Sequence, residues 1–129
     1  MPRKLSRKLA HRNHMIRNLA TSLILYEKII TTSAKAKEIK PIVERVINIG
    51  KSNDLQAYRR LNGYLTHRNA VKKVIEILSP RYSKIPSGCI QIIHYQPRHG
   101  DNAPRDIIQF IKISPTKEES SKEKHENHK

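Results

Sequence analysis

Along the chain the apolar positions alternate between a helical and a strand period. From about Asn13 to Glu27, Ile16, Leu19, Ala20, Leu23 and Ile24 recur at three- and four-residue spacing. That spacing predicts an amphipathic helix, with Arg12, Arg17 and Asn18 off its apolar stripe. The β-branched run Ile29-Ile30-Thr31 reads as a short strand. Thr32 or Ser33 then caps a second helix carrying Ile39, Ile42, Val43, Val46 and Ile49 and closed by Gly50. Pro41 lies inside it, and an interior proline costs about 3 kcal/mol, so a kink or break is expected near Lys40.

Two shorter helices follow. Ser52-Asn53-Asp54 predicts a helix start ahead of Leu55, Tyr58, Leu61 and Leu65, with Arg59-Arg60 turned away from those positions. A fourth helix runs from about Asn69 to Leu78 on Val71, Val74, Ile75 and Leu78, with Pro80 expected to stop it. The period then changes. Cys89 to Tyr95 and Asp106 to Ile113 read as strands, joined by a stretch dense in turn formers, Gln96 to Pro104. The simplest arrangement is an antiparallel hairpin, which the Ile29–Thr31 strand could extend. The expected fold is α+β, with about four helices packed on a small, about three-stranded sheet.

Composition adds a boundary. After Ser114 there is no Leu, Ile, Val or Phe, and four Lys balance four Glu. Such a segment buries too little to offset its ordering entropy, so 115–129 is expected to be a disordered charged tail. Residues 1–10 read as a basic N-terminal arm, and 11–114 as a single globular RNA-binding domain. One cysteine, Cys89, allows no internal disulfide, and no segment approaches the apolar length of a membrane span.

Charge names the partner class. The 129 residues hold 26 Lys+Arg against 11 Asp+Glu, a formal net charge of +15, and the balanced tail leaves all of it on the body. Self-repulsion at that density favours a polyanionic partner. The densest cluster opens the chain: Arg3-Lys4, Arg7-Lys8, His11-Arg12, then Arg17-Asn18. Guanidinium forks and ammonium charges leading into a helix start suit a phosphate backbone. No helix-turn-helix, zinc-ligand set or heptad zipper points to DNA, and the aromatic signature of an RNA recognition motif is missing. Structured RNA, met through phosphate, sugar and shape, fits best.

Other constellations are weaker. The loop Pro97 to Pro104 either presents Arg98 and Arg105 to phosphate or is an ordinary hairpin connection. His11 and His14 share a helix spacing but lack further metal ligands nearby. The seven acids of the body are scattered, with no Asp-x-Asp or Glu-x-x-His spacing, no Gly-rich phosphate loop and no nucleophile elbow. No enzyme, cofactor, metal or small-molecule substrate is expected.

Several ordered motifs then resemble one family. Arg7-Lys8-Leu9, His11-Arg12 and Arg17 through Leu23 are similar to the opening of the bacterial-type large-subunit ribosomal protein seventeen family. Glu27 through Thr32, Ala34 through Glu38, Pro80-Arg81-Tyr82 and Arg98 through Pro104 follow in order. The resemblance covers about residues 3–113. It implies a non-catalytic protein of the large ribosomal subunit in the cytoplasm, binding large-subunit ribosomal RNA near the nascent-chain exit region, with neighbouring ribosomal proteins as partners. It also implies RNA contacts at Arg7, Lys8, His11, Arg12, Arg17 and Asn18, with Arg98 a further candidate. Together with the basic positions Arg3, Lys4, Lys35, Arg59 and Arg60, these form the candidate RNA-binding set. The chain departs from the family's pattern in a shorter spacing before His11, in Ser87 to Gln91 where Gly-Gly-Tyr-Thr-Arg is usual, and at Gln96. The rival reading, a free-standing RNA chaperone or nonspecific nucleic-acid binder, shares the charge but not the ordered motifs.

Overall fold

A computed structural model describes Leu5 and residues 8–111. Arg3, Lys4 and Arg7 of the expected arm, and the expected tail, lie outside the described residues. The elements run α1 (Leu9–Tyr26), β1 (Lys28–Thr32), α2 (Ser33–Gly50), α3 (Leu55–Tyr64) and then a fourth helix in three pieces. Its pieces are α4 (Arg68–Lys73), a π-helical turn (Val74–Leu78) and the single turn α5 (Ser79–Arg81). Strands β2 (Ile90–Tyr95) and β3 (Arg105–Phe110) follow. The sheet is antiparallel throughout, in the order β1-β3-β2. The early strand thus joins the late hairpin and makes β3 central. The helices cover one face, as expected for an α+β fold.

The core lies between that face and the helices. Leu23 and Ile24 of α1, Ile39, Val43 and Val46 of α2, and Leu61 of α3 meet Val71, Val74 and Leu78 there. Ile108 and Phe110 enter from the sheet, and Phe110 stacks on Tyr82 with ring centroids 5.8 Å apart. The Tyr82 hydroxyl donates to the Ile111 carbonyl at 2.7 Å, so this large ring is buried with its polar end satisfied.

Several local expectations are corrected. Helix α1 begins at Leu9, four residues before the expected start at about Asn13, because the exposed Leu9, Ala10 and His11 carry the helix outward without needing burial. Helix α2 passes through Pro41 without a break. Pro41 and Lys37, the residue whose carbonyl loses the bond, are both exposed, so the missing bond falls on the solvent side of the helix. Buried Ile39, Val43, Val46 and Ile47 contribute about 1.5–3 kcal/mol each, more than the proline costs.

Pro80 does not stop the fourth helix. The Ser79 amide donates to Val74 five residues back, and this wider π turn brings Pro80 to the start of a fresh turn that runs on to Arg81. Gly50 is not a left-handed terminator either; Lys51 after it stays right-handed. Its role is close approach, since a Cβ there would lie 2.7 Å from Val74 Cγ1 and against Ser79 Oγ. Leu55 is exposed, and Ala57 takes the buried position instead. Asp54 is the helix cap, accepting from the Ala57 amide at 2.7 Å.

Candidate nucleic-acid interface

The candidate RNA-binding residues divide into those that face outward and those held by the fold. Lys8 sits at the start of α1 in extended conformation, exposed, with no side-chain cap bond. His11, His14 and Asn18 follow at helical spacing as one exposed stripe, with Arg12 half-buried beside it. Lys35 lies half-buried in the first turn of α2. Arg59 and Arg60 are both exposed on α3, as their position off the apolar stripe requires.

Arg17 is different. Its guanidinium donates to the Leu65 carbonyl at 3.2 Å and the Asn62 carbonyl at 3.4 Å, across the C-terminal end of α3. A cation there satisfies carbonyls that the helix leaves free and complements the negative end of its dipole. Thr21, one turn on, extends the bolt. It donates to the Arg17 carbonyl at 2.8 Å and accepts from the Thr66 amide and hydroxyl at 3.0 and 3.1 Å. Arg17 therefore orders the helical layer as well as adding charge to it. The signal for this was Thr21, a polar residue among the buried apolar positions of α1.

The hairpin loop is internally braced. Arg98 holds both carboxylate oxygens of Asp101, at 3.1 and 2.5 Å. The Asn102 amide donates to the Arg98 carbonyl at 3.0 Å, and the Arg98 amide donates to Ala103 at 3.0 Å. Gly100 and Asn102 take the left-handed backbone the turn needs, at φ 106° and 55°. The Arg98 guanidinium and the Ala103 amide together pull the Asp101 carboxyl down to about 2. Arg105 donates to the Gln96 carbonyl at 3.1 Å and lies 5.3 Å over the Tyr95 ring. Both loop arginines are thus engaged within the loop, which is rigid but does not offer Arg98 as an unpaired charge.

Distant motifs also converge. Glu27 ends α1 in left-handed backbone, φ 62°, and its carboxylate meets Arg81 at 2.5 Å and Lys73 at 3.9 Å. Its carbonyl accepts from Phe110 at 3.1 Å, tying the helix end to the central strand. Asp106 is buried on the helix-covered face of β3 and bonds the exposed His94 at 3.0 Å. Glu27, Asp54, Asp101 and Asp106 are therefore committed to contacts within the fold. Cys89 is buried and free, and burial raises its thiol pKa. Among the described residues no group of three or more His, Cys, Asp or Glu could hold a metal ion, and no helix is long and apolar enough to cross a membrane.

A family model described as ribosomal protein L17 matches residues 15–111. The chain is 44% identical over 109 residues to the large ribosomal subunit protein bL17 of Syntrophotalea carbinolica, spanning 84% of this chain and 70% of that one. Identity to the bL17 of Allorhizobium ampelinum is 43% over 109 residues, 84% of this chain and 77% of that protein. The Pelobacter propionicus bL17 is 41% identical over 109 residues, 84% and 86% of the two chains.

Proposed function

Because the chain belongs to the ribosomal protein L17 family, we propose that it is a structural constituent of the large ribosomal subunit in the cytoplasm. It binds the large ribosomal RNA near the nascent-chain exit region, beside neighbouring ribosomal proteins. The contacts are the basic arm, with Arg3, Lys4 and Arg7, and the outward cations of the helices.

One observation carries the RNA reading. Helices α1 and α2 both begin with no acid in the first turn and no side-chain cap. Instead the cations Lys8 and Arg12 open the first, beside His11, and Lys35 opens the second. Cations at the positive end of a helix dipole oppose it, by about 0.3–1 kcal/mol each at exposed sites. A phosphate reverses the sign, because the amides still free at each start (in α2 those after Ser33, whose own amide donates to the Pro104 carbonyl at 3.2 Å) and the cations then converge on one anion. Meanwhile the small core, bolted by Arg17 and Thr21, holds those starts and the Arg59-Arg60 pair at fixed spacing.

The reading is tested by sedimenting salt-washed large subunits and measuring RNA affinity against salt. The chain should remain with the subunits. Replacing Arg59 and Arg60 together by Ala should lower the salt slope by about 1.4–1.8, the value of two phosphates, without lowering the melting temperature. Recovery of the chain only at the top of the gradient would overturn the assignment.

A further inference from the structure

Among the described residues nothing covers the face of the sheet away from the helices, and its composition is unusual for a bare surface. The registers Ile30↔Ile107 and Ile93↔Ile107 place three isoleucines in one row straight across all three strands. Ile30 and Ile93 are 48% and 38% exposed. On one side of that row, Tyr95 and Arg105 are paired across the strands, with the guanidinium 5.3 Å over the ring. On the other side, Gln91 and Gln109 are directly opposed, with Lys28 next in line. No carboxylate lies in any of the three rows.

We propose that this face binds unpaired nucleotides of the RNA, so that the helix starts take phosphates and the sheet takes bases. The proposal rests on the RNA-binding reading above. The isoleucine row supplies an apolar floor for base faces, and Tyr95 with the Arg105 guanidinium over it supplies a cationic stacking position. Each glutamine amide carries a donor and an acceptor side by side, the pattern that matches a base edge. Lys28 and Arg105, at opposite rims, complement the backbone on either side. Charge, composition and area argue against the other occupants within reach. A second copy brings the same net +15 and the same cationic rims. The segment 115–129 has no Leu, Ile, Val or Phe to lay on the row. A row of three half-exposed isoleucines is also small beside the apolar centre of a standard protein interface.

The test uses the full chain, a short single-stranded oligoribonucleotide and an RNA duplex of equal length, followed by fluorescence anisotropy. Tyr95→Ala and Ile93→Glu should each weaken single-strand binding about tenfold and leave duplex binding within about twofold. Tyr95→Phe should bind as the parent does, and the salt slope of Tyr95→Ala should not move, because stacking releases no counterion. In intact large subunits, ultraviolet crosslinking should join peptides from β2 or β3 to bases. The proposal is overturned if both disruptive variants bind the single strand like the parent. It is equally overturned if Ile93 or Ile107 crosslinks to another protein instead. A parent chain that binds neither probe would sink the RNA-binding reading itself, a result distinct from either of those.

Discussion

Asp101 is fully exposed, yet its carboxyl is held near 2 because Arg98 grips both oxygens and the Ala103 amide adds a third donor. The folded-state value lies below the ordinary 3.8, so the pairing is complete above about pH 4 and is lost as pH falls through about 2. A carboxyl-detected NMR titration should place the Asp101 midpoint near 2 in the intact chain. In Arg98→Ala the midpoint should return toward the ordinary range; an unmoved midpoint would mean that Arg98 is not the cause. Such pairings were half legible. The turn-forming composition of Pro97 to Pro104 announced a defined loop, but residue types could not say whether Arg98 faced a phosphate or its own neighbour. Arg17 was likewise visible as a cation off the apolar stripe. Its partners, the Asn62 and Leu65 carbonyls, lie more than forty positions away and carry no side-chain signature.

At the scale of elements, both prolines and one glycine act through their neighbours rather than through local rules. Pro41 is tolerated because its helix buries enough on the opposite side, and Pro80 because a π turn precedes it. The glycine, Gly50, lets α2 approach the π turn closely, where the Ser79 hydroxyl donates to the Ile47 carbonyl at 3.1 Å. Gly50→Ala should therefore destabilise the fold by about 1–3 kcal/mol, the cost of overpacking a tight contact. Urea unfolding measures it directly. A stability equal to or above that of the parent would refute the close approach, since alanine is otherwise the better helix former. Helix existence and type were legible because a periodic stripe must bury itself. Helix ends were not, because exposed residues such as Ala10 and His11 extend a helix without adding to its buried stripe, and packing decides whether a proline or glycine breaks it.

For the whole molecule, charge is the dominant fact. With +15 on one small body, the free chain repels itself. Its melting temperature should rise as salt shortens the screening length from about 30 Å at 0.01 M to about 10 Å at 0.1 M. A rise of roughly 5 °C corresponds to about 1 kcal/mol for a domain of this size. Differential scanning calorimetry across that range checks it; a flat or falling curve would show that the repulsion is not felt in the fold. Bound RNA should stabilise further, by about 2.7 kcal/mol at a hundredfold excess over the dissociation constant.

Pattern and composition were enough to specify an α+β chain, its four helical segments, its late hairpin, a basic surface and, through ordered motifs, the family. Those properties are local or additive: a period of burial, a turn composition, a sum of charges. Tertiary structure decided what depends on which distant residues meet. It inserted β1 beside β3, brought Glu27 to Arg81, and set Arg17 across the end of α3. It also aligned Ile30, Ile107 and Ile93 in one exposed row, a feature of register that no single strand reveals. Pairing between strands some eighty positions apart is selected by the shared core, not by either strand's own sequence.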